Sequence, residues 1–107
     1  MKSFKERQKG FEAEFERGQE LAFRIIARRN RLLGLWAAER LGLPAGEAAE
    51  AYAKTVVAAD FEAPGEDDVV EKLRVDLVAK DVDITEAEIR AELTRAAMQA
   101  REQLTGR

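Results

Sequence analysis

The stretch QELAFRIIARRNRLLGLWAAERLGLP, residues 19–44, decides the fold. Its large apolar residues recur at the spacing of one helix face, and they are Leu21, Ile25, Leu32 and Trp36, widened by Ile26 and Leu33. The pattern ends at Gly42-Leu43-Pro44, a glycine followed by a residue that cannot continue a helix. The stretch predicts a first helix from about Gln19 to Leu41. Within it, Gly34 is roughly 1 kcal/mol worse than alanine, so we expect another helix to approach closely there.

Two further helices are predicted after this stop signal. The second spans about Gly46 to Glu62 and ends at Pro64-Gly65. The third spans about Glu66 to Lys80, and its three leading acidic residues suit the positive end of the helix dipole. We expect their buried residues to be Ala49, Tyr52, Ala53, Val56 and Val57 in the second, and Val70, Leu73 and Leu77 in the third.

The fourth helix has the clearest start signal in the chain. Thr85 and Glu88 have the spacing of a capping box, and Ile84 and Ile89 have that of a hydrophobic staple. Its predicted buried stripe is Ile89, Leu93, Ala96, Ala97, Ala100 and Leu104. Because the connections are short, the sequence predicts an all-α fold: a small four-helix bundle over residues 19–107, with a mobile amphipathic arm over residues 1–18.

Composition excludes several classes of protein. The 107 residues suit one compact domain, and the chain has no cysteine and no histidine. Disulfide scaffolds, zinc fingers, cysteine nucleophiles and imidazole bases are therefore excluded. No apolar run approaches the roughly 20 residues of a membrane span, and the N-terminus lacks the apolar segment of a signal peptide.

Charge is unevenly distributed along the chain. Residues 1–42 carry ten Lys or Arg against six Asp or Glu, whereas residues 43–107 carry eight against fifteen. The two parts have net charges of +4 and −7. Neither the weakly basic half nor the acidic whole favours binding to phosphate backbones, so we expect no nucleic-acid partner and no direct insertion into a membrane.

The first helix carries a basic stripe. Arg24, Arg28 and Arg31 lie at i, i+4 and i+7, with Arg29 beside them, and like charges at this spacing repel one another. One explanation is a network with the acidic second half of the chain. The other is an acidic partner or a nucleotide such as ADP or ATP acting as a regulatory ligand beside Trp36, because guanidinium groups bind phosphate in a bidentate manner.

The arm is the second candidate binding element. Phe4, Phe11 and Phe15 are spaced by 7 and 4 residues, which places them on one face of a helix. This face could pack back onto the bundle as ordinary core. Alternatively, the glycines at 10 and 18 allow the arm to detach and present its aromatic face to a groove on a partner.

Catalytic and metal-binding patterns are not found in the sequence, so we expect a non-enzyme without a metal site. Asp67, Asp68 and Glu71 could hold a cation, but the helix dipole alone explains acidic residues in a first turn. Asp60 and Glu62 stand near a helix C-terminus, where negative charge is unfavourable. We expect an arginine of the first helix to face them.

Three runs of residues resemble a known family. ARRNRLLGLWAA at 27–38, AYAKTVV at 51–57 and AADFE at 58–62 are similar to the signature of the zeta subunit of alphaproteobacterial ATP synthases. The resemblance covers nearly the whole chain. It implies a four-helix protein whose mobile N-terminal segment enters a catalytic interface of the F1 head and blocks rotation in the direction of ATP hydrolysis.

The resemblance also implies a partner and a location. The partner is the F1 head with its alpha, beta and gamma subunits, and the free protein is expected to be a cytoplasmic monomer attached to the inner membrane only through the ATP synthase. The partner-binding residues that it implies are Phe4, Lys5, Arg7, Phe11, Glu12, Glu14 and Phe15.

Overall fold

Four helices and no strand make up the part of the chain that the structure describes, which confirms the all-α prediction. The computed structural model describes residues 4–62 and 65–106, and the side chains of residues 4–15 and of Glu62 lie outside this description. The helices are α1 (Phe4–Arg40), α2 (Glu47–Glu62), α3 (Glu66–Ala79) and α4 (Glu86–Thr105). Helix α1 contacts α3 and packs most extensively on α2 and α4, so it is the central element of the bundle.

The first helix begins earlier than predicted. It starts at Phe4 and runs through Gly10 and Gly18 without interruption, so the predicted boundary at residue 18 is not the end of a helix. A Cβ added at Gly18 would meet no heavy atom of another side chain or helix within 4 Å. That residues 1–18 act as a separate mobile arm stays a prediction.

The predicted stop of α1 is confirmed. The N–H of Gly42 donates to the carbonyl of Glu39, and the N–H of Leu43 donates to the carbonyl of Ala38. These are the two bonds of a Schellman motif, which needs a left-handed residue at its centre. Gly42 provides it with φ of 78°.

The start of α4 is confirmed as well. The backbone N–H of Glu88 donates to the hydroxyl of Thr85 at 3.1 Å, and that hydroxyl donates to the Glu88 carboxylate at 3.2 Å. Ile84 packs against the core, and Ile89 is fully buried in it. The staple positions therefore hold the chain where it enters the helix.

The buried face of α1 is offset from the predicted stripe. Its buried small and apolar residues are Leu33, Gly34, Ala37 and Ala38. Leu32 and Trp36 flank this face, where they are half-buried against the core. Leu21 and Ile26 are each 38% exposed. The predicted stripe is therefore correct for Leu33 but wrong for Leu21 and Ile26, because small residues form the closest helix contact.

The contact between α1 and α2 explains Gly34. A Cβ added at Gly34 would lie 2.7 Å from the Cα of Ala53 and 3.2 Å from a methyl carbon of Val56. The two helices are antiparallel here, because Gly34 contacts Ala53 whereas Phe23 contacts Phe61. The expected close approach of another helix is confirmed.

The remaining core is built by the later helices largely as predicted. Their buried apolar residues are Ala49, Ala53 and Val56 of α2, Val69, Val70, Leu73 and Leu77 of α3, and Ile89, Leu93, Ala96 and Ala100 of α4. Tyr52 of α2 is only half-buried and packs at the edge of this core. All four helices thus contribute to one apolar interior.

We predict that Gly34→Ala lowers the free energy of unfolding by about 1 to 2 kcal/mol. Overpacking against the Ala53 backbone costs about 1–3 kcal/mol and outweighs the gain of roughly 1 kcal/mol in helix propensity. Gly18→Ala is the matched control, since it has the same propensity gain and an open surrounding. Denaturant unfolding of both variants checks this, and a more stable Gly34→Ala protein would contradict the close contact.

We predict that Thr85→Ala destabilises the protein by about 1 kcal/mol through loss of the N-cap. The control is Thr94→Ala, because Thr94 lies within α4 and its hydroxyl only donates to the Arg90 carbonyl. That control should leave the denaturation midpoint unchanged or raise it. Equal midpoints for the two variants would be incompatible with the cap.

Candidate functional site

The N-terminal half of α1 extends beyond the bundle. With 37 residues, α1 is about 55 Å long, whereas the 20 residues of α4 span about 30 Å. Every residue from 16 to 24 is exposed. The other described helices therefore leave this half of α1 uncovered, and it is the part of the molecule most available to a partner.

The arm residues implied by the resemblance all belong to this projecting helix. They are Phe4, Lys5, Arg7, Phe11, Glu12, Glu14 and Phe15. Their side chains lie outside the described residues, but their backbone is helical. Because this segment is helical, positions 4, 11 and 15 lie on one face of α1, as the spacing predicted.

The basic stripe of α1 is divided among three other helices. Arg31 binds Glu50 of α2 in a bidentate manner, at 2.6 and 3.3 Å. Arg28 donates to the Gln103 side chain of α4 at 3.0 Å. Arg24 is exposed, and no ion pair joins it to another described residue.

Arg29 is directed to the third helix. It is 8% exposed, its Nε donates to Asn30 at 3.0 Å, and its guanidinium lies 3.7 Å from the Glu66 carboxylate at the start of α3. The pairs made by Arg29 and Arg31 confirm the predicted network with the acidic second half of the chain.

Trp36 is separated from most of the basic stripe. Its ring lies 5.3 Å from the guanidinium carbon of Arg40. Arg24 and Arg28 are twelve and eight residues away, which is about 18 and 12 Å along the helix axis. The structure therefore does not bring Trp36 together with these two arginines around one ligand.

The acidic candidates are bound within the fold. Asp67 pairs with Arg90 at 2.8 Å and Glu71 with Arg74 at 2.6 Å. Asp60 accepts from the N–H of Gly65 at 3.2 Å, so it stabilises a turn rather than facing the expected arginine. Among the described residues no cluster of three or more acidic side chains has the arrangement of a metal site.

A half-buried polar cluster between α2 and α3 was missed by the sequence reasoning. The hydroxyl of Tyr52 donates to Asp76 at 2.7 Å, and Lys72 lies 3.0 Å from the same oxygen. The i, i+4 spacing of Lys72 and Asp76 was the available signal. Burial, and then the bond to Asp76, raise the pKa of Tyr52 far above its ordinary value, so the phenol stays protonated.

Several of these charged side chains form ion pairs between helices. The projecting half of α1 remains uncovered by the other described helices. The sequence model of the family described as ATPase inhibitor subunit zeta matches residues 1–103. The chain belongs to the ATPase inhibitor subunit zeta family. No curated protein matches the chain.

Membership of the zeta family covers both the projecting helix and the bundle. It confirms the resemblance carried by residues 27–38 and 51–62, and it identifies the chain as a regulatory inhibitor subunit rather than an enzyme. Its association is therefore with the ATPase of an ATP synthase. None of the described helices is both long and apolar enough to cross a bilayer.

We predict that Tyr52 of this zeta-family chain does not ionise near pH 10 while the chain is folded. Because its folded pKa is raised, its contribution to stability is complete below the unfolded pKa of about 10 and is lost as the pH rises above that value. The chain has one tyrosine, so absorbance near 295 nm reports it alone.

The comparison variant for this titration is Asp76→Asn. Removing the negative charge beside the phenol should lower the pKa of Tyr52 toward its ordinary value. A wild-type phenol that titrates normally in the folded chain would contradict its bond to Asp76.

Proposed function

We propose that the chain inhibits ATP hydrolysis by inserting its N-terminal segment, residues 1–18, which contains the start of α1, at a catalytic interface of the F1 head. The observation that carries this proposal is the projection of α1 beyond the bundle. A single helix, about 10 to 12 Å across with its side chains, can enter a cleft between subunits. The whole molecule measures 24 by 21 Å across its two shorter axes, so the four-helix bundle is wider than a single helix and stays outside.

The recognition mode is a helix lying in a groove. Phe4, Phe11 and Phe15 form an aromatic face that binds an apolar groove at the interface of the alpha and beta subunits, with the gamma subunit nearby. The charged partner-binding residues Lys5, Arg7, Glu12 and Glu14 lie around this face and set its orientation. A helix held between subunits blocks the closure and opening that rotation requires.

The site of action follows from the partner. The inhibitor acts as a monomer on the cytoplasmic side of the inner membrane, and it is held there by the F1 head rather than by a segment of its own. The described helices include none that is long and apolar enough to cross a membrane.

We predict that Phe11→Ala and Phe15→Ala each weaken inhibition of F1 by about tenfold or more. Truncation of a buried aromatic anchor removes a large part of a binding energy, and about 1.4 kcal/mol corresponds to each factor of ten. Both variants should unfold at the wild-type midpoint. The measurement is the rate of ATP hydrolysis by purified F1 against inhibitor concentration.

Two matched variants complete this experiment. Met98→Ala removes an exposed apolar side chain of α4 and should not change inhibition. Gly10→Ala should strengthen it, because a stiffer helix loses less entropy on binding. Phe variants that lose fold stability but inhibit like the wild type would show that the arm belongs to the core and that the proposal is wrong.

A further inference from the structure

An aromatic pair is exposed where the projecting half of α1 meets the bundle. The rings of Phe23 in α1 and Phe61 in the last turn of α2 have centroids 5.2 Å apart. Phe23 is 51% exposed and Phe61 is 60% exposed. Large aromatic side chains are usually buried, so a paired and exposed set is the mark of an interaction surface.

Two shallow grooves continue this apolar surface along α2. One, of about 360 Å³, contains Phe23, Ala27 and Val57. The other, of about 260 Å³, contains Val57, Ala58 and Phe61. Since both grooves share Val57, these five residues form one continuous area, which we name the Phe23–Phe61 surface.

The rim of the Phe23–Phe61 surface is basic. Arg24, Arg28 and Arg31 line the first groove, and Arg31 and Lys54 line the second. Glu50 compensates Arg31, but no ion pair within the described residues compensates Arg24, Arg28 or Lys54. The surface therefore combines an apolar centre with uncompensated positive charge, and it fits a partner with an apolar patch edged by carboxylates.

The Phe23–Phe61 surface is also close to the inserted segment. Phe15 and Phe23 are eight residues apart in one continuous helix, a rise of about 12 Å. An arm bound in a cleft of F1 therefore places the surface next to the mouth of that cleft.

We propose that the Phe23–Phe61 surface is a second contact with the F1 head, docking on an apolar patch with acidic edges beside the cleft. This inference rests on the proposed function. The arm and Phe23 belong to one continuous helix, and Phe61 packs on Phe23, so the second contact forms at high effective concentration once the first has formed.

A second copy of the chain fits this surface poorly. A symmetric pairing would place Arg24 and Arg28 against the same residues of the other copy, which is repulsive. Charge complementarity thus favours an acidic partner.

The test measures inhibition of F1 by full-length variants across a range of ionic strength. Phe23→Ala and Phe61→Ala should each raise the half-inhibitory concentration by about tenfold, while inhibition at saturation stays complete. Arg24→Glu should raise it by a similar factor and flatten its dependence on salt. Arg24 is exposed, so this variant keeps the fold intact and tests the rim independently of packing.

The matched controls lie on the outer face of α4. Met98→Ala removes an apolar side chain that is 70% exposed, and Arg95→Glu reverses a charge whose side chain is 77% exposed. Both should inhibit like the wild type. Hydrogen exchange of the wild-type chain with F1 should also show protection of residues 57–61.

The outcomes separate this inference from the proposed function. If Phe11→Ala abolishes inhibition while Phe23→Ala, Phe61→Ala and Arg24→Glu all inhibit like the wild type, the second contact is refuted and the arm mechanism stands. If the wild-type chain fails to inhibit F1, the proposed function itself fails. A dimer of the free chain in sedimentation that Phe61→Ala dissociates would assign the surface to self-association and overturn the inference.

Discussion

The packing of Gly34 against Ala53 is the constraint on which the rest of the structure depends. With 2.7 Å between a Cβ added at Gly34 and the Ala53 Cα, no side chain fits between the axes of α1 and α2 there. About one turn further along α1, the small residues Ala37 and Ala38 are fully buried. Leu33 is buried beside this contact, and Leu32 and Trp36 pack against the core from its flanks.

Polar pairs help to determine how α3 is placed on α1 within this apolar packing. Asn30 is 1% exposed, and its Nδ2 has no hydrogen-bond partner among the described residues, a cost of roughly 1–3 kcal/mol. Its Oδ1 accepts from Arg29, whose guanidinium faces Glu66 at the start of α3. An apolar interior alone permits α3 to slide or rotate on α1. A buried arginine that reaches one carboxylate favours a single placement, so we interpret this pair as a device for specificity more than for stability.

Local signals predicted the helix ends, and longer-range relations escaped prediction for a physical reason. The Schellman stop at Gly42 and the cap at Thr85 depend on atoms within six residues of one another, so their chemistry is legible in the sequence. The bonds from Tyr52 to Asp76 and from Arg31 to Glu50 join different helices, and their formation depends on the phase and crossing of those helices. The buried face of α1 was only partly predicted, because hydrophobic periodicity gives most weight to large residues. At Gly34 the absence of a side chain is what allows α2 to pack closely. The spacing of its three phenylalanines marked the arm as a candidate, but since that spacing is equally typical of a core, its assignment to partner binding rests on the family resemblance and stays a prediction.

Helix α1 is much longer than the other three helices, and this difference relates the packing at Gly34 to the proposed inhibition. Residues 29–38 of α1 are held in the bundle, and the same helix continues outward to Phe4 without a break, with every residue from 16 to 24 exposed. The contact at Gly34 therefore fixes the direction of the projecting half as well as the core, because a continuous helix transmits its orientation along its axis. A short peptide with the same aromatic face would lose its full conformational entropy on binding, and helices of this length are marginal when isolated. In the proposed mechanism the inserted segment is an extension of a packed helix, which lowers that loss and explains why the bundle accompanies it.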